Sequence, residues 1–158
     1  MPLISVFPSQ RSTAARDLMV TELARQADSA RRLAIYDRES GFLAPWYMQL
    51  RVAEESLRAK RYERPLSLLV VEAGEGEAEK LRAWLATNLR ATDLASVGGG
   101  GRWFLLLPET DAAGASLLAK RIAADVRLVS LAIAELGEDG ERFRSLMDGL
   151  DAAWPKVA

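Results

Sequence analysis

The sequence predicts an α/β domain, a two-layer sandwich in which a mixed central β-sheet is flanked by helices and preceded by a further N-terminal helix. Three observations carry this. Residues 66–71 (LSLLVV) form a short, wholly apolar run rich in β formers, which suits a central strand buried on both faces. Two more apolar runs, residues 94–97 and 103–107, stand on either side of four consecutive glycines, Gly98 to Gly101, as the strands of a β-hairpin do. Around them lie stretches whose apolar residues recur every three or four positions, the helical period.

Residues 1–10 carry two prolines and no period, and read as a loose lead-in. From residue 12 to about 35 nothing breaks a helix. Val20, Leu23, Ala27, Ala30 and Ala34 recur at alternating spacings of three and four, a narrow stripe that suits a short two-helix seam. That seam would join a homodimer or a protein partner through helix 12–35; the alternative is a helix folded back on its own domain. The chain thus divides into residues 1–35, lead-in and coiled-coil-like helix, and residues 36–158, the α/β domain.

Residues 37–44 read as a turn, and Pro45 suits the first position of a helix running to about Tyr62. Trp46, Leu50, Ala53 and Leu57 fall on one face of it. The cluster RAKRYERP interleaves glutamate with its arginines and reads as a solvated face rather than a phosphate patch. Glu72 ends the first strand, and a glycine-containing acidic stretch follows. A helix over about 78–89 turns Leu81, Trp84, Leu85 and Leu89 inward. The glycines then serve the hairpin turn, since glycine alone takes up positive φ without cost, and Pro108 closes the second strand. Residues 111–125 form a helix with Ala115, Leu118, Ala119 and Ile122 inward. Residues 126–136 alternate as a strand, and 139–153 form a last helix carrying Phe143, Leu146, Met147 and Leu150.

Composition narrows the chemistry. At 158 residues the chain suits one domain with a full core, and its net charge of −1 exerts no general pull on nucleic acid or an anionic membrane. No apolar run is long enough to span a bilayer, and the N-terminus lacks the basic-then-apolar layout of a signal peptide, so a cytoplasmic location without membrane insertion is expected. With no cysteine and no histidine, the sequence offers no thiolate or imidazole nucleophile and no zinc site of the usual kind. A metal would need oxygen ligands. No cofactor is expected.

The order of the pieces resembles the GGDEF domain, the catalytic module of diguanylate cyclases. Asp37-Arg-Glu-Ser-Gly41-Phe-Leu stands where that family has D-x-L-T-G-L, and residues 65–72 match the strand that ends in its first metal-binding aspartate. Residues 93–108 align without a gap on D-x-x-x-R-Y-G-G-D-E-F-x-x-x-x-P. Ala119-Lys-Arg-Ile122 matches A-E-R-I, residues 129–134 match v-S-i-G-v-A, and residues 150–154 match the final A-D-x-A-L-Y helix. The likeness covers residues 34–156 and implies a nucleotide-cyclase palm-like fold; the helix ahead of it resembles the signalling helix that often leads into such domains.

The departures fall on the chemistry. In this alignment G-G-D-E-F becomes Gly99-Gly100-Gly101-Arg102-Trp103. The cyclase joins two GTP molecules by attack of a 3′-hydroxyl on an α-phosphate, with divalent metal neutralising charge in the transition state. The resemblance assigns that metal to an acid of the signature and to the aspartate ending the first strand. Arg102 cannot ligate Mg²⁺ and would repel it, Glu72 keeps one carboxylate, and the second acid of the family's D-x-D is Gly74. The guanine-recognising segment after that strand is shortened to AGEGEAEKL. No catalytic residue and no metal ligand set is therefore assigned, and cyclase activity is not expected.

One family site is carried over. Many GGDEF domains hold an R-x-x-D motif before the signature, the inhibitory site for the product cyclic di-GMP, and Arg90-Ala-Thr-Asp93 stands at the matching offset. Arginine can fork onto guanine O6 and N7, and a carboxylate accepts from guanine N1 and N2. The family's second arginine, from the helix after the signature, falls on Arg121. Two readings follow: a non-catalytic cyclic di-GMP receptor using Arg90, Asp93 and Arg121, or an interaction module without a nucleotide ligand, dimerising or docking through helix 12–35 and the degraded catalytic face. In the second, Arg90, Asp93 and Arg121 are ordinary surface residues.

Overall fold

In the computed structural model, residues 8–153 are described, and among them the side chains of 13–30 and 34–150. The chain divides into two compact units, residues 1–34 and 35–158. The first is one helix, α1 (Pro8–Leu33), which starts earlier than its sequence suggests. The side chains of residues 13–30 are all exposed, Val20, Leu23, Ala27 and Ala30 included. The lead-in over residues 1–7 and Trp154 lie outside the described residues.

The second unit runs α2 (Pro45–Tyr62), β1 (Leu66–Ala73), α3 (Ala78–Asn88), β2 (Leu94–Val97), a 3₁₀ turn (Gly99–Gly101), β3 (Arg102–Pro108), α4 (Ala112–Asp125), β4 (Leu128–Glu135) and α5 (Gly140–Ala153). The strands form one sheet in the order β2-β3-β1-β4. The α/β class, the central sheet, the flanking helices and the preceding helix are as expected, but two details differ. All three strand pairings are antiparallel, and among the described residues parallel pairing occurs only as an isolated bridge between Leu43 and Ser96. Helices also cover both faces of the sheet, which makes three layers rather than two.

β1 explains the third layer. Its even residues Leu66, Leu68 and Val70 pack into one core with Met48, Val52, Phe143 and Leu150 of α2 and α5. Its odd residues Leu69 and Val71 pack into a second with Leu81, Leu85, Ala115, Ala119 and Ile122 of α3 and α4. A strand without polar alternation needs cover on both sides. The glycines make the β2–β3 turn, with Gly98 N–H donating to Arg102 O at 2.7 Å and Gly100 and Gly101 at φ 72° and 74°. A side chain at either position would be strained.

The buried face of α2 is not the one on which Trp46, Leu50, Ala53 and Leu57 fall. Met48, Val52, Glu55 and Ala59 are buried, while Leu50, Ala53 and Leu57 are exposed. The buried stripe has the same three-and-four spacing two positions along, and is hidden in the sequence because Glu55 belongs to it. That carboxylate is admitted by Arg51 at 3.0 Å and Arg58 at 3.7 Å, cations from its own helix.

Candidate ligand-binding site

The end of the sheet away from the glycine turn gathers the three residues singled out above. α3 stops at Asn88, and Arg90 and Asp93 sit in the tight link to β2, closed by Asp93 N–H donating to Arg90 O at 3.0 Å. Asp93 accepts from the Arg90 backbone N–H at 3.0 Å and from its guanidinium at 2.8 Å (Nη2) and 3.2 Å (Nε). The same Nη2 reaches Thr110 Oγ1 at 2.7 Å and Pro108 O at 3.3 Å. The Asp93 hydrogen bond raises the Arg90 guanidinium above its ordinary value, against partial desolvation. Arg90 is thereby fixed at one end, while its side chain stays 55 % exposed.

Arg121 approaches from α4, exposed, with its guanidinium carbon 5.7 Å from the centre of the Trp84 ring. The Trp84 indole N–H donates to Asp125 at 2.8 Å, tying α3 to α4 beneath that stack. Arg90, Asp93 and Arg121 all border one open cavity of about 510 Å³, with Leu118, Thr110 and Asp111 on its walls. Asp111 is engaged as the N-cap of α4, accepting from Gly114 N–H at 2.8 Å. A second cavity of about 860 Å³ adjoins it, sharing Arg90 and bordered by Arg58, Tyr62 and Arg64 of the RAKRYERP cluster.

Asp93 differs from the exposed strand-end carboxylate that the sequence suggests. Its side chain is only 4 % exposed, and its oxygens are taken up by Arg90. In this arrangement Asp93 positions the arginine, and a guanine edge would reach it only by displacing part of that ion pair. Thr110, on the cavity wall and bonded to Arg90, and Trp84, under Arg121, are contacts of the candidate residues that sequence reasoning missed. Thr110 follows the strand-closing proline and precedes a helix cap, which is a sign of a turn and not of a ligand contact. Trp84 reads simply as the apolar face of α3.

At the opposite end of β1 the expected metal position can be tested against its donors. Glu72 is in register with Arg102, whose Nε lies 3.8 Å from its carboxylate. The space over Gly74 is held by Arg127, where an added Cβ would lie 2.9 Å from the guanidinium carbon, and Arg127 donates to Glu75 O at 3.1 Å. A lone carboxylate facing the Arg102 guanidinium does not fit a divalent cation. Among the described residues, no group of three or more acidic, histidine or cysteine side chains is placed to hold a metal.

No protein-family model matches the sequence, and no curated protein does. Solved structures do. A sensory box/GGDEF family protein from Caulobacter crescentus is 20 % identical, with TM-score 0.61 over 76 % of this chain and 95 % of its own. The coiled coil and GGDEF domain of DgcB from the same organism, in complex with c-di-GMP, is 15 % identical, with TM-score 0.62 over 91 % of each chain. Diguanylate cyclase SiaD from Pseudomonas aeruginosa, in complex with its activator SiaC, is 18 % identical, with TM-score 0.56 over 92 % of this chain and 68 % of that one. The chain has the fold of a GGDEF domain.

Proposed function

We propose that this chain is a non-catalytic GGDEF-type signalling domain that binds cyclic di-GMP through Arg90, Asp93 and Arg121. The observation that carries the reading is the convergence of these residues, from the turn before β2 and from a separate helix, on one open cavity. Arg90 is held by Asp93 and Thr110 with its guanidinium still half in solvent, which reduces the ordering cost of gripping a base or phosphate. Arg121 supplies a second cation across the cavity. DgcB structures with c-di-GMP bound support the ligand class. The absence of a signature acid at Gly101 and Arg102, together with the Arg102–Glu72 pair, supports the loss of turnover.

A second reading rests on α1. Leu18, Met19, Val20 and Leu23 are all largely exposed, which favours a helix that docks on a second copy or a protein partner. In that reading the chain works without a nucleotide ligand, and Arg90, Asp93 and Arg121 are ordinary surface residues. Incubation with GTP and Mg²⁺ should yield no cyclic di-GMP, and product scaling with protein concentration would refute that part. Amide chemical shifts on adding cyclic di-GMP should move around Arg90, Asp93, Thr110 and Arg121. Unmoved shifts there would leave the α1 reading alone.

A further inference from the structure

Two residues other than glycine take a positive φ among those described, Glu63 at 51° and Glu109 at 52°. Glu63 has a local cause, because it is the C-cap of α2 and its N–H donates to Ala59 O. Glu109 caps no helix. It follows Pro108, the last residue of β3, and stands two positions ahead of Asp111, the N-cap of α4. Glycine or asparagine would take this backbone at less cost, so a glutamate here calls for another reason. Such conformations concentrate where a side chain meets a ligand.

The surroundings supply one. Arg90 Nη2 bonds to both neighbours of Glu109, Pro108 O at 3.3 Å and Thr110 Oγ1 at 2.7 Å. Pro65, Arg90 and Glu109 are the residues that border both cavities described above. Glu109 is exposed, and among the described residues no hydrogen bond or ion pair engages its carboxylate. The other two carboxylates on the smaller cavity are occupied: Asp93 is buried against Arg90, and Asp111 accepts from Gly114 N–H. After the Asp93 hydrogen bond, the Glu109 charge also helps to raise the Arg90 guanidinium, so the two groups lie within each other's field.

We propose that Glu109, and not Asp93, reads a guanine base of the ligand, accepting from its N1 and N2 hydrogens while Asp93 stays on Arg90. This rests on the reading of the cavity as a cyclic di-GMP site, and places base selectivity on a residue outside the R-x-x-D motif. A carboxylate matches the two adjacent donors of a guanine edge. Adenine presents a lone pair at N1, which a carboxylate repels. Arg90, held by Asp93, Pro108 and Thr110, is left to meet phosphate or the far edge of the base. Leu117, 62 % exposed, and Leu118 give the cavity an apolar wall for a ring to lie on.

Calorimetric titration of the full chain with cyclic di-GMP and with cyclic di-AMP tests this. The wild-type protein should prefer cyclic di-GMP by at least roughly tenfold, the equivalent of one charged hydrogen bond. Glu109→Gly removes the carboxylate and suits the positive φ, so the variant keeps its fold, and its preference should drop to about threefold or less. Asp93→Asn still accepts from Arg90 through its amide oxygen and should keep the guanine preference. A preference that survives in Glu109→Gly, or that is lost in Asp93→Asn instead, overturns the role given to Glu109 and leaves the receptor reading standing. A wild-type chain that binds the two nucleotides equally does the same. A wild-type chain that binds neither overturns both.

Discussion

Asp93→Ala should destabilise the domain, although an R-x-x-D aspartate reads from sequence as a replaceable surface group. The side chain is 4 % exposed and accepts the Arg90 backbone N–H at 3.0 Å as well as the guanidinium at 2.8 Å. Truncation leaves that backbone N–H without its acceptor beside a newly emptied space. A hydrogen bond to a charged group contributes about 1.5–3 kcal/mol. The guanidinium part adds less, about 0.2–1 kcal/mol, because Arg90 is half exposed and keeps Thr110 and Pro108 as partners. The sum is roughly 2–4 kcal/mol, and at about 3–5 °C per kcal/mol for a unit of this size the melting midpoint should fall by some 6 °C or more. Arg90→Ala removes only the weaker part and should cost about 1 kcal/mol. Urea titrations of the three proteins, with the double variant closing the cycle, would measure both costs and their coupling. Asp93→Ala lying within about 0.5 kcal/mol of the parent would refute the positioning role assigned to that carboxylate.

Other predictions follow from the same geometry. Because burial raises the Glu135 carboxyl above its ordinary value, the folded state holds the proton more tightly than the unfolded one. The stability contributed by this group is therefore present below the ordinary carboxylate range and is lost as pH rises through the folded value. In dilute protein Glu135→Gln should accordingly gain stability over the parent near neutral pH, with the gain vanishing toward about pH 4 in denaturant midpoints; a gain independent of pH would contradict this. Restoring acids with Gly101→Asp and Arg102→Glu should not yield cyclic di-GMP from GTP, since Arg127 still occupies the space over Gly74; turnover by that variant would show that the site had lost less than argued. Deleting residues 1–34 should leave the second unit folded, with an unchanged near-ultraviolet spectrum. Loss of cooperative unfolding would mean that α1 packs within the domain.

Much of this fold can be read from residue pattern because the pattern and the packing obey the same period. The run at 66–71 announces a strand buried on both faces, and the helices on both faces follow from it, although a two-layer arrangement is the simpler expectation. The buried face of α2 is not legible for a physical reason: its stripe includes Glu55, made tolerable by Arg51 and Arg58 on the same helix, and no hydropathy count anticipates that. Arg90 and Arg121 are legible as candidates through their offsets from the glycine run, and both border the same cavity. The burial of Asp93 is not legible. It depends on how the turn after α3 folds over its own first residue, and on Pro108 and Thr110 arriving from a distant strand end.

The receptor reading is tested most directly by calorimetric titration of cyclic di-GMP into the full chain and into Arg90→Ala. The wild-type chain should bind with micromolar or better affinity. Arg90→Ala should weaken binding by roughly one to two orders of magnitude, the equivalent of a charged hydrogen bond of about 1.5–3 kcal/mol. No heat from the wild-type protein, or equal affinity in the two, would contradict the assignment of Arg90 and Asp93 to a ligand site.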